Sequence, residues 1–231
     1  MTRCLPFVEY APYNERVFLE RKGITTVNVY DFDETIFFGD SEDRFFQFMF
    51  KRKGYFWYKV NYKWNEFLLK LRILDKTTTR ESEYSILKKI NKVEDLDHLL
   101  EEYWDEVEQY MMPWYDTVKK EDDVIASGTP RFIMEPICRR LGVKGLVATE
   151  MDPKTGKVVH GMFAVQQYKL ENFKEQYNTE DMDNFYSDAW SDHFMADVAK
   201  HAYMVYDGEK KMEWNEFFRL HPEKKVMPYR V

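Results

Sequence analysis

"VYDFDETIFFGDSEDRFF", residues 29–46, is the stretch from which this chain is best read. An apolar run containing Val27, Val29 and Tyr30 stops at two aspartates one residue apart, Asp31 and Asp33, and Thr35 follows. Side chains at i and i+2 on a strand point the same way, so the two carboxylates repel. At roughly 4 Å and an effective dielectric of about 20, the repulsion is on the order of 4 kcal/mol. A cationic group is therefore expected beside this strand end.

Upstream, residues 1–23 lack periodicity and read as an arm packed on the body of the protein. "ITTVNVYDF" at 24–32, rich in β-branched and aromatic residues, reads as a buried strand. Downstream, from Gly39 to Met112, glycine is scarce and charge recurs at helical intervals. Leu96, Leu99, Leu100 and Tyr103 fall at i, i+3, i+4 and i+7, one face of an amphipathic helix. This span is expected to be all-helical.

Strands and helices then alternate. "DDVIAS" reads as a second strand, with Thr129 as N-cap and Pro130 as first residue of a helix that ends at Gly142. Pro136 is expected to kink that helix. "GLVATE" is a third strand, and "DPKTGKVVHG" a turn leading into another extended piece. A helix is expected over Tyr168 to Tyr177, a fourth strand at "DNFYSD", a helix after Ser191, and a fifth strand at "AYMVYD". Trp214, Phe217 and Phe218 are expected to pack on the core. The pattern predicts an α/β fold, a parallel sheet flanked by helices, with an all-helical insertion, which the resemblance named below makes a cap. The core is expected over residues 1–38 and 113–231, and the cap over 39–112.

Composition sets limits. At 231 residues, 44% hydrophobic and 32% charged, the chain suits one sizeable core with an insertion. A net charge of −7 argues against nucleic acid as a partner, because phosphate neutralisation dominates such binding. Cys4 and Cys138 make no disulfide framework, and the opening residues, broken by Pro6, Glu9 and Pro12, lack the apolar core of a signal peptide. The expected location is the cytoplasm. Cys138 reads as core rather than nucleophile, and His193 as a helix-start residue rather than a metal ligand.

In parallel sheets the active crevice lies beyond the carboxyl ends of the strands, where Asp31, Asp33, Ser127 and Asp188 all fall. A strand-end carboxylate such as Asp31 can serve as a nucleophile, and Asp33 can supply and remove protons. Asp188 and Asp192 in "YSDAWSD" stand four apart at a strand-to-helix junction. Clustered carboxylate oxygens favour Mg²⁺, which contacts substrate phosphate. Ser127 offers a hydroxyl next to helix-start amides, and Lys169 a positive charge.

With "DFDET" at 31–35, "IASGTP" at 125–130, Lys169 in "QQYKLENF" and "YSDAWSD" at 186–192, the chain resembles the haloacid-dehalogenase (HAD) superfamily of phosphohydrolases. More narrowly, it looks like the phosphoserine-phosphatase-like branch, whose helical cap follows the first motif. The resemblance implies a Rossmann-like HAD core and a Mg²⁺-dependent phosphatase forming an aspartyl-phosphate. It implies Asp31 as nucleophile, Asp33 as general acid/base, and Ser127 and Lys169 as the phosphoryl clamp. Mg²⁺ would be held by the Asp31 carboxylate, the Asp33 carbonyl and Asp188, with Thr35, Gly128 and Asp192 in support. Asp40 stands where phosphoserine phosphatases carry the glutamate that binds the substrate amine, so it is the substrate-contact candidate in the cap. No counterpart of the cap arginine that binds the serine carboxylate is evident. Ala189 replaces the usual Ser or Gly, and "MFAVQQYK" lacks the glycine and acidic pair that often precede the lysine.

The expected activity is hydrolysis of a small-molecule phosphate monoester. The alternatives are phosphoryl transfer to another acceptor, a lipid-phosphate phosphatase using the same site, and a non-catalytic scaffold. "FFQFMFKRKGYFWYKVNYKWNEFLLKLRIL", at 45–74, mixes large apolar residues with lysine and arginine. It could be a cap core or a peripheral membrane contact.

Overall fold

Val27–Asp31, the apolar run before the aspartates, forms β1 at the centre of a six-stranded sheet. The protein is described from a computed structural model covering residues 26–93, 95–159 and 163–227. The expected arm at 1–23, residues 24 and 25 of the first strand, and His160 lie outside the described residues.

After β1 the described chain is helical until the second strand. In order come α1 (Ser41–Phe50), α2 (Phe56–Lys70), α3 (Lys76–Glu83), α4 (Leu87–Val93), α5 (Leu96–Val107) and the short α6 (Pro113–Asp116). Three of these helices open on an aspartate whose carboxylate accepts an orphan amide: Asp40 from Asp43, Asp75 from Thr78, and Asp95 from Asp97. The core resumes with β2 (Val124–Pro130), α7 (Arg131–Leu141), β3 (Gly145–Thr149), α8 (Gln167–Lys174) and β4 (Met182–Ser187). It ends with α9 (His193–Ala196), β5 (His201–Tyr206), β6 (Lys210–Glu213) and α10 (Trp214–Leu220).

The strand order is β3-β2-β1-β4-β5-β6, parallel throughout except for the antiparallel β5–β6 pair. The chain therefore leaves β1 on one side for β2 and β3 and returns on the other for β4. In parallel sheets such a reversal marks where a crevice is expected, here at the carboxyl end of β1. The pairing of Asp31 with Ala126 and of Tyr30 with Tyr186 brings the ends of β1, β2 and β4 side by side.

Two apolar layers cover the sheet. One joins Tyr30, Phe32 and Ile125 to residues of the inserted helices including Phe45, Phe46, Tyr103 and Trp104, so insertion and sheet share one hydrophobic cluster. The Trp104 indole N–H donates to the Ile133 carbonyl at 2.6 Å, tying α5 to α7. Burying one phenylalanine in such a layer is worth roughly 1.5–3 kcal/mol. The other face carries Val29, Val124, Phe173 and Phe185 with Trp214, Phe217 and Phe218, as expected of those last three aromatics.

Local expectations need adjustment. Thr129 and Pro130 are not the helix start, because β2 runs on through Pro130, which pairs with Thr149, and α7 begins at Arg131. That helix continues through Pro136 and ends, as expected, on Gly142 with φ +71°. A 3₁₀ turn at Trp190–Asp192 precedes α9. β6 is an additional strand, and among the described residues no helix is long and apolar enough to cross a membrane.

Candidate active site

Immediately after β1 the backbone folds around a single acceptor. The Phe32 carbonyl receives the amides of Thr35, Ile36 and Phe37 at 3.0–3.3 Å. Glu34 takes up the tight bend at φ +56° with its side chain in solvent, so it is a flank and not a site residue. This turn swings the buried Thr35 hydroxyl back over the strand end. Its Oγ1 lies 3.2 Å from Asp31 Oδ2 and 3.4 Å from Asp188 Oδ1, and accepts the Asp188 amide at 3.0 Å. Asp31 and Asp188, 157 positions apart in the chain, thus share one hydroxyl.

The cation called for by the aspartate pair is Lys169, at the start of α8. Its ammonium sits 2.7 Å from Asp31 Oδ1 and 2.7 Å from Asp192 Oδ2, and all three side chains are buried. Asp192 also accepts from the Ser187 hydroxyl at 2.9 Å. Burial alone would lower the Lys169 pKa, but Asp192 and Asp31 outweigh it and hold the ammonium charged.

Asp33 is stabilised differently. Among the described residues no ammonium is bonded to it; the Ser41 amide at the first turn of α1 donates to its Oδ1 at 2.6 Å, and the Thr129 hydroxyl to its Oδ2 at 3.3 Å. The Ser41 and Thr129 hydroxyls lie 3.1 Å apart, and the Tyr103 hydroxyl donates to the Ser41 carbonyl at 2.6 Å. Ser127, one residue beyond the strand partner of Asp31, is buried and accepts the Thr129 amide at 3.1 Å. Gly128 leaves room for the neighbouring loop: a Cβ there would stand 2.8 Å from Val165 Cγ1. Thr149 fastens that loop, donating to the Gly128 carbonyl at 2.6 Å and accepting the Ala164 amide at 2.9 Å.

Asp31, Asp33, Ser127, Lys169, Asp188, Asp192, Thr35 and Gly128 therefore converge at the crevice. Asp40 is exposed and spends a carboxylate oxygen capping α1. His193 stacks on Trp190 and bonds its carbonyl, and Cys138 is a buried thiol pushed up to about 12 by burial. Sequence reasoning missed Ser41, Tyr103 and the bond from Thr129 to Asp33. The signal for Thr129 was available, since it follows Ser127 by two on the same strand.

Burial and mutual repulsion raise three of the aspartates. Burial raises Asp31 to about 6, opposed by Lys169 and reinforced by Asp192. Burial also raises Asp33 well above the usual carboxylate range, with Asp40 and Asp31 adding to it. Asp188 is raised likewise by burial, Asp31 and Asp192. Asp31 and Asp192 thus share one ammonium, Asp188 joins Asp31 through Thr35, and Asp33 has neutral donors. Among the described residues, no three acidic, histidine or cysteine side chains form a ready-made metal cage. The Asp31 and Asp188 carboxylates, which share the Thr35 hydroxyl, are hard oxygen donors of the kind that could hold a divalent cation such as Mg²⁺.

Residues 29–197 match the haloacid dehalogenase-like hydrolase family, a span that contains every residue of the cluster. The chain belongs to this family. The HAD hydrolase fold is also found in solved structures. A protein with unknown function from Bordetella pertussis Tohama I superposes with a TM-score of 0.68 at 16% identity, over 88% of this chain and 99% of that one. A HAD family hydrolase from Salmonella enterica subsp. enterica serovar Typhi superposes at 0.56 with 14% identity, over 76% of this chain and 60% of that one. At such identities the likeness is one of fold. No curated protein matches the sequence.

Proposed function

We propose that this HAD hydrolase is a Mg²⁺-dependent phosphatase of the phosphoserine-phosphatase-like kind, hydrolysing a small-molecule phosphate monoester through an aspartyl-phosphate on Asp31. The observation that carries this reading is Asp31 itself. It is a buried carboxylate bonded on one oxygen to Lys169 and on the other side to the hydroxyl it shares with Asp188.

Asp31 forms a bond to phosphorus as the bond to the leaving oxygen breaks, and protonated Asp33 gives its proton to the departing alkoxide. Water then attacks the phosphorus, Asp33 takes its proton, and the bond to Asp31 breaks to free phosphate and regenerate the carboxylate. Lys169 and Ser127 hold the equatorial phosphoryl oxygens, since positioning and electrostatics supply most of the catalysis in phosphoryl transfer. The Asp31 and Asp188 carboxylates and the Asp33 carbonyl would hold Mg²⁺, which when bound supplies positive charge to the phosphoryl oxygens. Asp192 and Ser187 position Lys169.

Asp31→Asn is expected to lower turnover of an aryl phosphate by at least ~10⁴-fold while leaving the circular dichroism spectrum unchanged. Chelation of divalent cations is expected to abolish hydrolysis and added Mg²⁺ to restore it. An active Asp31→Asn protein, or hydrolysis indifferent to chelator, would refute the assignment.

A further inference from the structure

Helix α2 buries one side against the cap and turns a large apolar strip outward. Phe56, Trp57, Val60, Trp64, Phe67 and Leu71 are all exposed, Trp57 by 76% and Trp64 by 59%. At 100° per residue these six positions fall within an arc of about 100°, running the ~22 Å length of the helix. Ile73, 64% exposed, continues the strip past the helix end. So many exposed large side chains on one element mark an interaction surface.

Charge identifies the occupant. Lys59, Lys63 and Lys70 form a row along one flank of the strip, and Lys53 and Arg72 stand at its two ends. Among the described residues, Lys53, Lys63, Lys70 and Arg72 make no ion pair. Of the seven Lys and Arg between Lys51 and Leu74, Lys51 and Arg52 pair with Glu106 and Glu102, which leaves five against one acid, Glu66, itself turned inward to Arg80. This occurs in a protein of net charge −7. A strongly basic patch on an acidic molecule is not a solubility device. Two copies of the patch face to face would repel, which argues against a symmetric self-interface. Tryptophan and phenylalanine flanked by lysine match the chemistry of an anionic bilayer surface, where rings enter the headgroup layer and ammonium groups meet lipid phosphates.

We infer that the outer face of α2 docks the protein peripherally on anionic lipid membranes. This inference is independent of the catalytic reading, since none of these residues touches the aspartate cluster. The test is co-sedimentation of the full chain with phosphatidylcholine vesicles, with and without phosphatidylserine, at low and high salt. Binding is expected only to the phosphatidylserine vesicles and is expected to fall with salt. Lys63→Glu with Lys70→Glu should weaken it by at least about fivefold per lysine, and Trp57→Ser with Trp64→Ser by at least about tenfold. Aryl phosphate hydrolysis in vesicle-free solution should be unchanged in both variants, which separates loss of docking from loss of fold. The inference is overturned if the wild-type chain stays in the supernatant with phosphatidylserine vesicles at low salt, or if both variants sediment as well as wild type. A dimer in sedimentation velocity that Trp57→Ser with Trp64→Ser dissociates, without vesicle binding, would instead assign the face to a second copy.

Discussion

Lys169 and Thr129 give two carboxylates two positions apart the different surroundings that their proposed roles require. Lys169 stays charged between Asp31 and Asp192, so it favours an ionised Asp31 suited to attack. Asp33 has neutral donors instead, the Ser41 amide and the Thr129 hydroxyl, which suit a group that must carry a proton as well as lose it. Thr129→Val is therefore expected to slow hydrolysis of alkyl phosphates by roughly 10–100-fold, part of the 10²–10⁴-fold that general acid catalysis supplies. Aryl phosphates with acidic phenol leaving groups need little protonation and should slow far less, and Thr129→Ser should restore the alkyl rate. Equal slowing of both substrate types would show that Thr129 serves only packing. The aspartates, Ser127 and Lys169 were legible in the sequence because each stands at a strand end or adjoining helix in a recognisable order. The support of Asp33 was not legible, since it depends on an amide from a helix that begins in the cap and on a hydroxyl from the next strand.

At the scale of elements, α1 and α3 are joined by a buried ionic cluster. Arg80 pairs with Glu42 on α1 at 2.7 Å, with Glu66 on α2 at 2.7 Å, and with Glu83 on its own helix, while Lys76 lies 3.6 Å from Glu42. Arg80 is thus committed to glutamates of the inserted helices. Glu83 is raised from 4.5 to about 7, chiefly by burial and against the pull of Arg80, with Glu42 and Glu66 adding to the rise. The folded chain therefore holds this proton more tightly than the unfolded chain. The stability it contributes is complete below about pH 4.5 and is lost as pH rises through about 7. Glu83→Gln should flatten the pH dependence of the urea-unfolding free energy across that window; an unchanged slope would place Glu83 outside the linkage. The helical character of the insertion was readable from its scarce glycine, its charge at helical intervals and the apolar spacing from Leu96 to Tyr103. β6 was not, because "KKME" is a polar edge strand defined by its pairing with Tyr203–Tyr206 and not by any apolar alternation.

For the molecule as a whole, strand-helix alternation was enough to foretell a parallel sheet with helices inserted after its first strand. The fate of the aromatic residues in that insertion was not. Phe45, Phe46 and Tyr62 enter the shared core whereas Trp57, Trp64 and Phe67 face outward, and composition alone does not distinguish the two sets. Within α2 the distinction between Tyr62 and the outward residues comes from which side of the helix meets α1 and α3. The sheet, in turn, brings acids from β1 and from beyond β4 together around one lysine, and that convergence underlies the chemistry proposed for the crevice. It is tested most directly by acid-quenching the enzyme during turnover of a radiolabelled phosphate monoester with Mg²⁺ and mapping the label by peptide. The label should be found on the peptide containing Asp31 and be absent from Asp31→Asn. Rapid hydrolysis with no labelled protein at any quench time, or label on a different residue, would contradict it.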